Sequence, residues 1–342
     1  MSVAELVAGL RASRGFLHKT DIAGVVDALA RRLPRGARDL DQAVALGDDC
    51  AALAEGDGYL LFAIEGMVSD FVDAMPWFAG YSSVMVNVSD IYAMGGRPLA
   101  VVDALWSPGL GAAEDVLAGM AAAATAYGVP IVGGHTNTRS EAAQLAVSIV
   151  GRAKTLLSSF HAKPGDRLMM AADLRGRFEE PYPFWNASTG APPERLRGDL
   201  DVLPHLAESG LCDAAKDISM AGALGTALML LECSQVGARI DLERIPKPDD
   251  VPLSRWVTAF PSFGYLLSVR EHHVEAVQAL FDERSLACSV IGVVHAPRQV
   301  ILHRREETAV LWDFEREAFM AGEGDSERPA MQPPDDALPA TR

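Results

Sequence analysis

Four short segments of this 342-residue chain set oxygen- or nitrogen-bearing side chains beside glycines or at the ends of apolar runs. In Gly47-Asp48-Asp49 two adjacent carboxylates close an apolar run that starts near residue 43. Neighbouring carboxylates repel unless a positive charge sits beside them, and a hard cation such as Mg²⁺ satisfies that need. An Asp-rich turn has the same composition. Asn87-Val88-Ser89-Asp90 lies in a helical pattern in which Asn87, Asp90 and Met94 share a face. An Asp among apolar helical neighbours needs a partner, whether a cap, a salt bridge or a metal. Gly133-Gly134-His135-Thr136 follows the run VPIV. Paired glycines let backbone approach a ligand and leave N–H groups free for an anion, and Thr136 can hydrogen-bond phosphate. A simple turn also explains them. Asp217-Ile218-Ser219 stands at the head of a helical segment, either as a cap or as an anion site. The adjacent Lys216 would face the other way if the segment is extended.

The elements that must carry these residues follow from periodicity. Helices are expected at 20–33, capped by Thr20 or Asp21, at 77–94, at 112–127, at about 197–209, at 221–233 and at 272–283. Gly95-Gly96 followed by Pro98 is a helix-stop order. Strands are expected at 58–66, 99–106, 129–134, 144–153, 167–173, 238–242, 263–269 and 287–294. The stretch 174–195 reads as a polar connection. Its Tyr182, Phe184, Trp185 and Asn186 either line a substrate pocket or anchor the loop. The turn at Lys163-Pro164-Gly165-Asp166 places a domain boundary near 154–165. Two α/β domains are expected, 1–155 and 156–320, followed by a polar tail at 321–342 with a disordered composition.

Composition narrows the function. The chain is 49% hydrophobic and 22% charged, inside the globular range. Its net charge of −16 argues against nucleic acid, whose phosphates need a basic surface. Four scattered cysteines, with no C-x-x-C pair, indicate neither zinc nor a disulfide framework. No run approaches the ~20 apolar residues of a membrane span, and residues 1–15 lack the apolar core of a signal peptide. A cytoplasmic location is the expectation.

In order, GDDCAAL, NVSDIYAMGGRP, VPIVGGHT, VGRAK…AKPGD and DISMAG with GARIDL resemble the aminoimidazole-ribonucleotide (AIR) synthetase superfamily, over roughly residues 43–242. The pattern is most similar to its thiamine-phosphate kinase branch. The resemblance implies two α/β domains, a homodimer joined through the N-terminal sheets, and ATP with Mg²⁺ in the cleft. It implies Asp49, Asp90 and Asp217 as metal ligands and catalytic groups, with Glu65 a further ligand. Asp48, Asn87, Gly133, Gly134, Thr136, Arg152 and Ser219 would then surround the nucleotide, and His135 would contact phosphate or act as an acid or base.

This chain also departs from the kinase pattern. Ala63-Ile64-Glu65-Gly66 replaces Ser-Thr-Asp-Thr, His135 replaces an Asp, and Met220 replaces a carboxylate after Ser219. Pro261-Ser262-Phe263-Gly264-Tyr265 stands where the branch carries Gly-Gly-Glu-Asp-Tyr, and Lys19 has no cysteine partner as in the selenide-handling branch. Trp185, Asn186 and Tyr265 are the substrate-side candidates. Two functions remain open on these grounds. One is ATP- and Mg²⁺-dependent phosphoryl transfer to, or activation of, an oxygen of a small molecule. The other is a nucleotide-binding module without turnover that serves a partner complex.

Overall fold

The computed structural model describes residues 1–30, 32 and 47–320. The start of the apolar run before Gly47, the last residues of the 20–33 helix and the 321–342 tail lie outside this set.

Two helices open the chain, α1 (Val3–Arg11) and α2 (Arg14–Ala30). A reciprocal capping box starts α1: Ser2 Oγ accepts from the Glu5 N–H, and the Glu5 carboxylate accepts from the Ser2 N–H. Its buried Val3, Leu6, Val7 and Leu10 follow helical spacing. The helix expected from residue 20 begins six residues earlier, at Arg14. Thr20 does not cap it; its hydroxyl donates back to the Leu17 carbonyl from inside the helix.

The first half then forms the hairpin β1 (Ala51–Glu55) and β2 (Gly58–Met67), helices α3 (Ser69–Ala74) and α4 (Pro76–Ala93), and β3 (Arg97–Trp106). Helix α5 (Leu110–Tyr127), β4 (Ile131–Asn137) and β5 (Gln144–Ala153) complete it. The strands make one sheet in the order β1-β2-β5-β3-β4, antiparallel except for the β3–β4 pair. Proline at its first turn starts α4, and the Gly96 N–H bonding the Ile91 carbonyl helps close it. Helices α4 and α5 touch through glycines: a Cβ on Gly80 would lie 2.0 Å from the Val116 carbonyl, and one on Gly119 1.9 Å from that of Trp77. Hence α4 is buried nearly all round, which its mostly apolar sequence permits.

The second half runs β6 (Arg167–Ala172), β7 (Arg177–Glu179), β8 (Phe184–Asn186), α6 (Pro193–Leu200), α7 (Val202–Glu208), β9 (Ala214–Asp217), α8 (Gly222–Cys233) and β10 (Gly237–Asp241). It continues with α9 (Leu253–Trp256), β11 (Phe260–Pro261), β12 (Gly264–Val269), α10 (Val274–Asp282), β13 (Ala287–His295), β14 (Gln299–Arg304) and β15 (Glu307–Asp313). Seven strands pair in the order β15-β14-β10-β13-β6-β12-β9, while β11-β8-β7 make a small separate sheet. The single helix expected at 197–209 is two, because the chain breaks at Asp201.

The connection at 174–195 is not plain loop. It contains β7 and β8, and its aromatics anchor it: Tyr182 and Phe184 stack 5.2 Å apart and both meet Phe71 of α3 edge-on. Helix α1 lies against the second sheet, with the Val3 N–H donating to Glu307 and Arg11 to the Leu311 carbonyl. The N-terminal helices therefore share a core with the second half, and a grouping of residues 1–155 by sequence order does not describe their packing. Among the described residues no helix is long and apolar enough to cross a membrane.

Candidate active site

Asp49, Asp90 and Asp217 come from three separate segments and meet. A carboxylate oxygen of each lies within 4.8 Å of one of each other residue. Asp49 sits in the turn before β1, Asp90 on the last turn of α4, and Asp217 at the end of β9. Tyr265 of β12 pairs in register with Asp217, and its hydroxyl lies 3.0 Å from the Ser89 hydroxyl. That bond ties β12, the strand paired with β9, to the helix holding Asp90.

Asp49 is gripped by β9. Lys216 Nζ donates to its Oδ1 at 2.5 Å, and the Asp217 N–H donates to its Oδ2 at 3.3 Å. Both side chains of the ion pair are 5% exposed. Lys216 thus turns toward Asp49, which alternation along the segment did not anticipate. Its only sequence signal is a lysine between two alanines and Asp217.

Asp90 is 6% exposed, and its Oδ2 has no hydrogen-bond partner. Asn87, one turn earlier and fully buried, donates from Nδ2 to the Ser83 and Val147 carbonyls and leaves Oδ1 unpaired. The Ser219 hydroxyl is also buried without a partner. Orphaned buried oxygens are costly, and several at one place indicate a site built for a ligand.

Electrostatics point the same way. Desolvation, reinforced by the neighbouring carboxylates, raises the Asp90 and Asp217 carboxyls well above the ordinary range, and it raises Asp49 as well. Burial works against the Lys216 ammonium, but the Asp49 and Asp48 carboxylates outweigh it and hold that group above the usual lysine value. Glu65 is exposed; its carboxyl is raised by desolvation, with the Lys19 charge acting against the rise. Its exposure makes this effect weaker than for the three buried aspartates. The Lys19 charge of α2 also favours the charged form of Asp217.

The other expected site residues divide by sheet face. Residues in register share a face. Glu65, Val147, Asp103 and Gly134 form one row across β2, β5, β3 and β4, on the side covered by α4. A Cβ on Gly134 would fall 2.4 Å from Asp103 Oδ1, so this strand position needs glycine. Sequence reasoning missed Asp103, a charge within the apolar run LAVVDALW. Desolvation raises its carboxyl too. Gly133, Gly134 and Thr136 lie on the exposed edge strand β4, with Thr136 beside Leu105.

His135 stands in register with Ala104 and Ala146, and Arg152 with Leu60 and Arg97. Both rows belong to the opposite, uncovered face. There Arg152 donates to Glu55 at 2.9 Å, and the His135 ring lies 5.7 Å from that of Trp106. The structure does not bring either residue to the three aspartates of its own chain.

Asp48 is committed elsewhere. Its carboxylate accepts from the hydroxyls of Ser158 and Ser159, each at 2.7 Å, and from the Ser159 N–H. It anchors the Gly47 turn to the segment joining the two sheets.

The substrate-side expectations are corrected by burial. Trp185 donates to the Asp173 carbonyl and packs edge-on against Trp256 and Phe178. The Asn186 Oδ1 accepts from the Ser188 and Thr189 N–H groups, and its Nδ2 donates to Glu179 and Thr189. Tyr265 is fully buried. Side chains engaged in this way hold loops and strands in place.

Comparison with known proteins follows these two halves. Residues 47–153 match the family described as AIR synthase related protein, N-terminal domain, and residues 167–304 match its C-terminal domain. An uncharacterized protein of Synechocystis is 46% identical over 328 residues, covering 95% of this chain and 100% of that one. A thiamine-monophosphate kinase of Pyrococcus abyssi is 31% identical over 291 residues, covering 78% of this chain and 90% of the kinase. Among solved structures, Thermotoga maritima PurL complexed with ATP superposes with a TM-score of 0.68 at 18% identity, over 92% of this chain. The chain spans about half of that PurL chain, 51%.

Proposed function

The chain belongs to the AIR synthase related family, and from that premise we propose that it binds ATP with a divalent cation at Asp49, Asp90 and Asp217. The bound nucleotide would serve phosphoryl transfer to, or activation of, an oxygen of a small molecule. One observation carries this reading: three buried carboxylates from distant segments converge, with Asp90 Oδ2 left unpaired. Hard oxygen donors fit Mg²⁺, and the neighbouring Ser219 and Asn87 oxygens add uncommitted polar atoms. Support also comes from relatives whose names are those of ATP-using enzymes. When bound, Mg²⁺ supplies charge neutralisation at phosphate oxygens.

The chain's own residues do the remaining work. Asp49 and Asp217 are fixed by β9 and by the Tyr265–Ser89 bond, so the carboxylates need little rearrangement. Gly133 and Gly134, lacking Cβ atoms, leave room at the β4 edge for phosphate. Lys19 adds a positive charge whose field favours the ionised forms of Glu65 and Asp217. Catalysis by positioning and charge requires no nucleophilic side chain.

Saturating ATP with MgCl₂ is expected to raise Tm by roughly 5 °C, the effect of a ligand at about a hundredfold its Kd on a chain of this size. ATP consumption should appear when the substrate is present in a fractionated metabolite pool. If neither calorimetry nor thermal shift detects ATP in the presence of Mg²⁺, the proposal fails. Binding without turnover across every pool fraction would favour the non-catalytic module, the reading that the carboxylate-free Met220 motivates.

The family resemblance also leads us to propose a homodimer through the uncovered face of the five-stranded sheet. Phe62, Ile64, Val102 and Val132 are exposed there, Ile64 by 64%. A monomer rarely leaves such a contiguous apolar sheet face in water. Sedimentation should give twice the 36.5 kDa chain mass for the wild type and a single mass for Ile64→Asp. A monomeric wild type at micromolar concentration would refute the pairing. Pairing here would also carry His135 and Arg152 to the partner copy.

A further inference from the structure

We propose that Lys216 takes the place of one cation, so that the Asp49, Asp90 and Asp217 site draws a single divalent ion from solution. This inference rests on the cation reading of the cluster and adds the number of ions and what sets it.

The argument begins with charge. As ligands the three carboxylates must be ionised and then carry −3, and the Lys216 ammonium, 2.5 Å from Asp49 Oδ1, brings the group to −2. One divalent ion completes neutrality. A second would have to sit beside a fixed ammonium that cannot move to water, because the Lys216 and Asp49 side chains are each 5% exposed. Like charges at contact distance in a buried site repel strongly, and the repulsion doubles when one of them is divalent.

The pattern of satisfied atoms agrees. Both Asp49 oxygens are engaged, one by Lys216 Nζ and one by the Asp217 N–H. Among the described residues, the buried side-chain oxygens without partners are Asp90 Oδ2, Asn87 Oδ1 and Ser219 Oγ. Open coordination is therefore concentrated on the α4 and Ser219 side, and the Asp49 side is already filled by an ammonium. No further carboxylate stands in the loop after Ser219, where Met220 is exposed. Asp103 belongs to the sheet row beside Gly134 and lies outside the group of three.

The test is a titration of the full chain with Mn²⁺ in the absence of nucleotide, counting bound ions from the free Mn²⁺ resonance. Wild type is expected to bind one ion. Lys216→Met, with the buried charge at −3, should bind the first ion at least about tenfold more tightly. Its cation-free Tm should fall, and added Mn²⁺ should recover more stability than in wild type. Lys216→Arg keeps the charge and should match wild type in both number and affinity. It carries the test if Lys216→Met does not fold. Two or more ions on wild type, or unchanged affinity in Lys216→Met, would overturn the role given to Lys216 while leaving the cation site intact. Absence of any Mn²⁺ binding to wild type would overturn the cation reading itself, and this inference with it.

Discussion

Asp90→Asn is expected to lower cation-dependent ATP turnover about a thousandfold, on the scale of losing one essential charge-stabilising group. The same change should make the cation-free protein more stable, by about 1–2 kcal/mol, as when function holds a strained charge in place. Both effects have one cause. Asp90 is buried beside Asp217, Glu65 and Asp49, and desolvation with these neighbours pushes its carboxyl well above the ordinary range. A carboxyl raised in the folded state contributes stability that is fully present below its unfolded value, near 3.8. That contribution is lost as pH rises through the folded value, so the cation-free wild type loses stability on the alkaline side of that window. Asparagine has the shape without the charge and should flatten the loss. Because protons and the cation compete for the same oxygens, Mg²⁺ should stabilise wild type more at pH 8 than at pH 6, and Asp90→Asn hardly at all. Thermal melts across pH with and without Mg²⁺, together with ATP turnover, check this. A variant that keeps wild-type turnover, or whose Mg²⁺-induced shift is undiminished, would remove Asp90 from the site.

Asp199→Ala is expected to destabilise the protein by about 3 kcal/mol, a fall in Tm of roughly 5–10 °C. Asp199, on α6, is 2% exposed and bonds Arg284 at 2.9 Å and Arg175 at 3.0 Å, with Arg195 near. Arg175 also bonds the buried Asp173 at 2.7 Å. Removing the Asp199 carboxylate leaves Arg284 without its carboxylate partner, and Arg175 and Arg195 with Asp173 alone. Each is a quarter to a third exposed and can recover some hydration, which puts the cost at the low end for a broken buried pair. The network joins the end of β6, α6 and the segment after α10, and it frames the 174–195 connection. That connection in turn reaches the first half through Ser188, which hydrogen-bonds Tyr81 and Tyr127. Asp199→Asn, which keeps the shape and one acceptor, should fall between wild type and alanine. Denaturant unfolding decides it: a loss below about 0.5 kcal/mol would mean the three arginines hold the loop without Asp199.

Local pattern made much of the fold legible. The 144–153 strand has the expected bounds, α4 ends where Gly95-Gly96 and Pro98 indicate, and β2, β3, α5 and α8 begin or end within two residues of expectation. These elements carry strong periodicity or clear stop signals. The misses have physical causes. Helix α1 is short, and what secures it is packing on β15. Strands β7, β8 and β11 are two or three residues long and exist through mutual pairing, which no local window reveals.

The sequence by itself determined the chemistry available: carboxylates at 49, 65, 90 and 217, glycines at 133 and 134, and a hydroxyl at 219, in an order shared with one family. Only the tertiary structure decided which of them meet. It joined Asp49 to Asp217 across 168 positions, turned Lys216 into the partner of Asp49, and spent Asp48 on Ser158 and Ser159. It also placed His135 and Arg152 on the uncovered face of the sheet, away from the aspartates. Residue type is a local property. The face a strand residue occupies depends on register with strands far along the chain, where a shift of one residue reverses every side chain.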